Sequence, residues 1–139
     1  MLIDIGANLS NQRFDTDITE VLRHAQNADV EKIVITGTSL DESQAAIELC
    51  TAHATDFPNM LYATAGIHPH SADQFNPQST VIDLRQLAMH PSVVAIGETG
   101  LDFFRNLATP EIQQRSFEAH LELAIDLKMP LFLHERDAA

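Results

Sequence analysis

The fold is decided by the stretch Val93-Val94-Ala95-Ile96-Gly97-Glu98-Thr99-Gly100-Leu101-Asp102-Phe103, in which an apolar run ends on glycine and is followed at once by a carboxylate. A short, almost continuously apolar run is typical of a strand in a parallel sheet that is covered on both faces. We expect this strand to end at Gly97, where the chain turns, so that Glu98 stands at its carboxyl end. In parallel α/β folds, ligands and catalytic groups collect at that edge.

The same pattern of an apolar strand followed by glycine occurs four times along the chain. The four glycines are Gly6, Gly37, Gly66 and Gly97. They fall about 30 residues apart, which is the size of one strand-helix-strand unit. A fifth apolar segment, residues 130–134, ends on histidine instead.

Four helical patterns separate these five predicted strands. The second begins with a capping box that starts at Ser39 and includes Glu42. The fourth begins at Thr109-Pro110, and its apolar periodicity predicts an inward face of Phe117, Leu121, Ala124 and Ile125. Four histidines fall in or at the ends of helices, where we expect surface positions: His24, His53, His90 and His120.

This alternation predicts an α/β protein with a parallel sheet, either an open doubly wound sheet or part of a barrel. Even spacing and polar groups after several strands favour a TIM (β/α)8 barrel, since an open sheet gathers its ligands at one switch point. Residues 1–139 would form the N-terminal part of one barrel domain, with about five parallel strands and four helices. A closed barrel needs eight strands and typically about 250 residues. We therefore expect this chain to be part of a longer protein. It would be the product of a truncated gene, a piece chosen for expression or a proteolytic fragment.

Composition narrows the class of function. The chain has 139 residues, 45% of them hydrophobic, and a formal net charge of −12 from 8 basic and 20 acidic residues. This charge opposes binding along a nucleic-acid backbone through a broad cationic face, but not binding of a phosphate at a metal site. The sequence contains neither a membrane span nor a cleavable leader, so we expect no membrane partner and a cytoplasmic location. The single cysteine, Cys50, has the pattern of a buried, inert thiol.

Polar side chains with metal-binding or catalytic chemistry follow three of the predicted strands. Carboxylate and imidazole groups together form a ligand set for a divalent metal, and an arginine beside them offers a planar fork for phosphate. The candidates are His68 and His70 after the third strand, Glu98 and Asp102 after the fourth, and His134, Arg136 and Asp137 at the fifth.

Each candidate also has a structural alternative. Glu98 could pair with a lysine or arginine at the barrel mouth, His134 could be a hydrogen-bonded core histidine, and Asp102 could cap a turn. Since side chains two apart in an extended chain point in opposite directions, we expect only one of His68 and His70 to face the cleft.

At these residues the sequence resembles the TatD family of metal-dependent deoxyribonucleases, within the amidohydrolase-like barrel superfamily. The Gly97-Glu98-x-Gly100-Leu101-Asp102 and His134-x-Arg136-Asp137-Ala138 stretches are together highly specific. Further matching stretches are residues 4–9, 35–38 and 65–70, so the resemblance covers the whole chain in order. It implies a (β/α)8 barrel and metal-dependent hydrolysis of DNA phosphodiester bonds from the 3′ end.

The resemblance also implies roles for particular residues. Many relatives carry two histidines on the first strand at positions that here are Gly6 and Asn8, which leaves a more oxygen-rich site. Such a site favours Mg²⁺ or Mn²⁺ over Zn²⁺. Further family ligands are expected beyond Ala139. The predicted catalytic residues are Glu98 and His68, the metal ligands are Glu98 and His134, and the substrate contacts are Arg136, His70, Asn8 and Asp102.

The leading hypothesis is therefore a nuclease that acts on DNA ends, single-stranded by analogy with the family, with this chain inactive alone. One alternative is hydrolysis of a small ester or amide, because one barrel fold serves many substrates. Another is a non-catalytic binding or regulatory fragment. A five-stranded piece exposes its edge strands, so we expect self-association or pairing with the missing half.

Overall fold

The structure, a computed structural model, describes residues 1–139 and contains five parallel strands that alternate with four α-helices. The strands are β1 (Leu2–Ala7), β2 (Val30–Ile35), β3 (Leu61–Ala65), β4 (Val93–Asp102) and β5 (Leu131–Arg136). The helices are α1 (Ile18–Asn27), α2 (Leu40–His53), α3 (Ser79–Ala88) and α4 (Pro110–Leu127). Two short 3₁₀ helices span Gln12–Phe14 and Pro69–Gln74. The predicted α/β class and element order are confirmed.

The strand order decides between the two parallel architectures. The strands lie in the sheet in the order β1-β2-β3-β4-β5, so each strand pairs with the next one along the chain. An open doubly wound sheet reverses its order at a switch point, whereas a barrel does not. The sheet is curled, since a Cβ added at Gly6 on β1 would lie 3.3 Å from the Phe132 ring on β5, the opposite edge strand. Five strands thus form an incomplete (β/α) barrel, as predicted.

The fourth strand is longer than the sequence predicts. β4 does not end at Gly97 but continues to Asp102, and its pairing with β5 shifts register between Gly97 and Thr99. Glu98 is the extra residue of this bulge, and bulges re-aim side chains beside functional sites. Gly97 has φ +138°, and a Cβ there would clash with the carbonyl oxygen of Phe132. The glycine therefore permits close strand approach at the bulge instead of ending the strand. β5 likewise runs past His134 to Arg136.

Helix α4 presents a different face to the sheet from the one its apolar periodicity predicts. Its N-terminus is capped by Thr109, whose hydroxyl accepts from the Ile112 N–H. Ala124 is buried as predicted, but Ile125 is largely exposed, and His120, expected on the surface, is fully buried. The buried face is Gln113, Ser116, His120, Leu123 and Ala124. Hydrophobicity alone gives the wrong orientation because three of these five residues are polar.

The hydrophobic core lies between the sheet and its helices, and the sheet edges remain open. Ile33, Ile35 and Ile96 from the strands pack with Leu22 and Leu84 from the helices in one buried cluster. Large apolar side chains are exposed on the edge strands, namely Leu2, Ile3 and Ile5 on β1 and Leu133 on β5. None of the helices has the length and apolar character needed to cross a membrane.

Candidate metal centre

The carboxyl ends of the strands surround a polar cavity of about 350 Å³. No hydrophobic side chain lines it. Its residues are Gly6, Asn8, Thr36, Thr38, His68, His70, Ser71 and Glu98. A larger groove of about 470 Å³ lies between α2 and α3, but none of the predicted site residues lines it. The cavity at the strand ends is therefore the one that predicted site residues line.

Glu98 contacts histidines and not a lysine or arginine. Its Oε1 lies 3.2 Å from Nδ1 of His134 and 3.6 Å from Nε2 of His68. The only ion pair with an arginine in the chain joins Arg85 to Asp126 on the helical surface. The alternative in which Glu98 pairs with a lysine or arginine is therefore excluded within this chain.

Asp102 is buried behind the histidines. Its Oδ1 accepts from the Arg105 N–H at 2.8 Å, so it does cap a turn, and its Oδ2 lies 2.6 Å from Nε2 of His70 and 3.1 Å from Nε2 of His134. Burial by itself raises the pKa of this carboxyl, but the hydrogen bonds from Arg105, His70 and His134 outweigh burial and hold the pKa well below its usual range. Asp102 is thus an ionised acceptor. Its contacts with His70 and His134 indicate that it orients these two rings, whereas the sequence predicted that it contacts substrate.

The position of His134 between two carboxylates fits a metal ligand. A neutral imidazole carries one ring proton. If Nε2–H donates to the buried Asp102 carboxylate, the Nδ1 lone pair faces Glu98 Oε1 at 3.2 Å. Two lone pairs that face each other repel unless a cation lies between them, and ligating histidines commonly donate their other N–H to a carboxylate. The predicted ligands Glu98 and His134 therefore have donor atoms suited to one divalent ion.

His68 and His70 both reach the site, contrary to the expectation that only one would. The chain does not continue extended after His68, because Pro69 begins a 3₁₀ helix that turns both rings to the same side. The ring centroids lie 4.2 Å apart, and one nitrogen from each of His68, His70 and His134 falls within 4.8 Å of the others. Pro69 is the signal in the sequence for this turn, since proline suits the first position of a helix.

The two ring nitrogens of His68 have separate tasks. Nδ1 accepts from the His70 N–H at 3.0 Å, so in the neutral ring the proton is on Nε2, which faces Glu98. Burial, followed by the nearby His70 and His134 rings, lowers the pKa of His68 to about 4, although Asp102 opposes this. His68 is therefore a neutral hydrogen-bond donor at pH 7, and its Nε2 is less suited to bind a metal than its place in the cluster suggests.

The two remaining predicted substrate contacts lie at the carboxyl ends of the two edge strands, Asn8 directly after β1 and Arg136 at the end of β5. Arg136 is exposed, and its guanidinium carbon lies 3.9 Å from the centroid of the exposed Phe104 ring. Asn8 is exposed on the β1 side of the cavity. Neither makes a side-chain hydrogen bond to Glu98, His68 or His134, so both leave the metal-binding atoms unobstructed.

Two buried residues that contact the site segments were missed by the sequence analysis. Gln113 exchanges hydrogen bonds with the backbone of Asp102, and His120 accepts from the Ile67 N–H at 2.9 Å. Their spacing of seven residues, two helical turns, was a signal that both lie on one face.

Known proteins match this chain over almost its whole length. A family model described as TatD related DNase matches residues 3–139. This chain belongs to the TatD-related DNase family. Among solved structures, a TatD-family hydrolase from Entamoeba histolytica superposes with a TM-score of 0.90 at 28% identity, over 99% of this chain and 50% of that one.

Curated TatD proteins align along the same residues. The "3'-5' ssDNA/RNA exonuclease TatD" of Edwardsiella piscicida is 45% identical over 137 residues, which are 99% of this chain and 51% of the relative. The protein of the same name from Musicola paradisiaca is 44% identical, with 99% and 50% covered. The chain thus spans about half the length of the curated TatD relatives that it matches.

Proposed function

We propose that the intact protein is a metal-dependent nuclease that removes nucleotides from the 3′ end of single-stranded DNA or RNA. The observation that carries the proposal is the facing pair of Glu98 Oε1 and His134 Nδ1, 3.2 Å apart, beside the neutral donor His68. This arrangement lies at the carboxyl end of a TatD-type sheet, where barrel enzymes carry their active sites. The names of the TatD relatives supply the substrate class and the 3′ to 5′ direction.

Glu98 and His134 would hold the divalent ion, with His70 close enough to complete the set from this half of the barrel. When bound, the ion neutralises charge that develops on the phosphoryl group and lowers the pKa of water. Mg²⁺ remains the predicted ion, and Mn²⁺ and Zn²⁺ also suit a set that mixes carboxylate with imidazole.

His68 donates its Nε2–H to a phosphate oxygen of the substrate. It is prepared for this role because its Nδ1 is already bonded to the His70 N–H, which fixes both the tautomer and the ring orientation. A donor fixed before substrate binds stabilises developing negative charge without reorganising. Asp102 orients His70 and His134 by accepting from both rings.

Arg136 and Asn8 contact the nucleotide on either side of the cavity. A guanidinium binds phosphate oxygens through two parallel N–H groups, and its stacking on Phe104 limits the side-chain entropy lost on binding. The net charge of −12 on these 139 residues repels a polyanion, so this part of the protein needs local donors such as these to bind one.

Labelled oligonucleotides test the proposed polarity. With the full-length protein and Mg²⁺, Mn²⁺ or Zn²⁺, a 5′-labelled single strand of DNA or RNA should give a ladder of successively shorter products, and chelation should stop the reaction. Release of the label as a mononucleotide from the 5′ end, or internal fragments alone, would contradict the 3′ to 5′ assignment.

Hydrolysis of a small ester or amide is the second candidate function. It is favoured by one structural relative, described as an uncharacterized amidohydrolase from Saccharomyces cerevisiae, with a TM-score of 0.84 and 30% identity. Turnover of small aryl esters or amides by a full-length protein that leaves oligonucleotides intact would support it. If the full-length protein binds a single strand but turns over neither class, a non-catalytic binding role is correct.

We also propose that the protein is cytoplasmic. A separate proposal is that this chain, on its own, self-associates or pairs with the missing half. β1 and β5 are the edge strands, and their exposed apolar residues are those that a closed barrel covers. Light scattering coupled to size exclusion should show association of the isolated chain, without nuclease activity. Ile3→Lys and Leu133→Lys should reduce the association, and a stable monomer at micromolar concentration would contradict it.

A further inference from the structure

We propose that helix α4 is the positioning element of the metal centre, with Gln113 fixing Asp102 and His120 fixing the segment that carries His68. The inference rests on the proposed function, since it assigns residues that hold the proposed site. Both residues are almost fully buried, and their side chains bond to backbone groups and not to the side chains of the site.

The side-chain amide of Gln113 makes three hydrogen bonds to the backbone, two of them to Asp102 at the end of β4. Its Oε1 accepts from the Asp102 N–H at 2.8 Å, while its Nε2 donates to the Asp102 carbonyl at 3.2 Å and to the Ala108 carbonyl at 2.8 Å. The side chain is only 1% exposed. These bonds satisfy the Asp102 N–H and carbonyl while Asp102 pairs with Arg136 of β5, and so they fix the backbone from which the Asp102 carboxylate meets His70 and His134.

His120 holds the segment after β3 in the same way. Its Nδ1 lies 2.6 Å from the Ser116 carbonyl and its Nε2 accepts from the Ile67 N–H at 2.9 Å, directly before His68. The Nε2 contact requires a neutral ring with its proton on Nδ1. Burial lowers the pKa of His120 despite the bond to Ser116, so the neutral ring persists at pH 7.

The two residues act from one rigid support. Seven positions apart, they lie on one face, about 10.5 Å apart along the helix axis. Neighbouring strands of a sheet are about 4.8 Å apart. One helix thus reaches the ends of both β3 and β4, and it sets the separation between His68 and the rings held by Asp102. Polar residues occupy its buried face for this reason, although apolar ones would pack there at lower desolvation cost.

The test uses the full-length protein labelled with ¹⁵N-histidine, with Mn²⁺ as the metal probe. Without metal, Gln113→Leu should shift the ring-nitrogen signals of His70 and His134 most, and His120→Leu those of His68. In Gln113→Leu, Mn²⁺ affinity measured by calorimetry should also fall, on the order of 10–100-fold, as for other outer partners of metal ligands. His120→Gln, whose amide oxygen can accept from Ile67, should restore the His68 signals that His120→Leu shifts.

Two exposed residues provide matched controls, namely Gln114→Leu on the same helix and His24→Leu on α1. If a leucine variant does not fold, Gln113→Glu, which lacks both donors, and His120→Asn, which is too short to reach Ile67, replace it. Lower melting temperatures with unchanged ring signals would show that both residues contribute only to stability, and would overturn the proposal. Because the ring signals are read without metal, wild-type protein that binds no Mn²⁺ would refute the proposed function separately.

Discussion

The two sides of the cavity differ in chemistry. The ends of β1 and β2 contribute only small or uncharged groups, namely Gly6, Asn8, Thr36 and Thr38. The ends of β3, β4 and β5 contribute three imidazoles and two carboxylates, which contact one another at 2.6 to 3.6 Å. All ionisable groups of the centre thus come from neighbouring strands on one side.

This difference separates two tasks. The imidazoles and carboxylates fix one another's tautomers through hydrogen bonds, and together they supply the lone pairs that bind a cation. The neutral side offers space and single hydrogen bonds, as expected of a surface against which substrate is oriented. If this division is correct, substitutions of these imidazoles and carboxylates should impair the chemistry, whereas those on the neutral side should only weaken binding.

Glu98→Ala in the full-length protein should have the largest effect. The variant removes the carboxylate that faces His134, so the rate should fall by a factor on the order of 10³ or more while the fold persists. Nuclease turnover with Mg²⁺ or Mn²⁺ and circular dichroism on the same samples would measure this. Glu111→Ala, an exposed glutamate on α4, is the matched control. Activity near wild type in Glu98→Ala would remove Glu98 from the mechanism.

The order of the elements was predictable because short apolar segments recur about 30 residues apart, with segments of helix length between them. Four apolar segments that end near glycine gave the order of the elements, and Thr109 and Ser39 were recognisable as helix caps. The bulge at Glu98 was not, because it arises from the pairing of β4 with β5, and pairing register is a tertiary property. The same holds for α4, where buried polar residues outweighed the apolar pattern.

The sequence predicted which residues form the site better than it predicted how they are arranged. Strand ends that share one edge brought Glu98, His68 and His134 together as expected. The sequence could not reveal that Asp102 is buried behind two rings, since burial depends on how β4, β5 and the 3₁₀ helix meet. Gln113 and His120 were missed because their partners are backbone groups, which leave no mark in the sequence.

The metal-free chain should lose stability in moderately acidic solution. Since the pKa of His68 falls from 6.5 to about 4 on folding, the unfolded chain binds the proton more readily between these values. The free energy of unfolding should therefore decrease as pH falls from 6.5 to 4, by roughly 3 kcal/mol from this group. His120 acts in the same direction. Asp102, whose pKa is depressed, withdraws its contribution only below its usual value of 3.8.

Urea unfolding with chelator at pH 7.5 and pH 4.5 would measure this loss. His68→Asn should flatten the dependence between these two values, whereas His24→Asn, on an exposed helix position, should leave it unchanged. An equal slope in wild type and His68→Asn would contradict the buried, neutral state of the ring.

Arg136→Ala should weaken substrate binding without changing metal affinity. A guanidinium has no lone pair for a cation, and a hydrogen bond to a charged group contributes about 1.5 kcal/mol or more, roughly tenfold in KM. Separate titrations of metal and oligonucleotide distinguish the two affinities. Arg23→Ala, an exposed arginine on α1, is the control. Loss of metal binding with retained substrate affinity would refute the assignment.

Asn8→Ala should have the smallest effect, because Asn8 belongs to the neutral side of the cavity and is exposed. One neutral hydrogen bond contributes about 0.5–1.5 kcal/mol, so KM for an oligonucleotide should rise only about two- to tenfold, with kcat unchanged. Asn27→Ala, at the exposed end of α1, should change neither constant. A fall in kcat comparable with that of Glu98→Ala would place Asn8 in the chemical step, and the division between the two sides of the cavity would then be wrong.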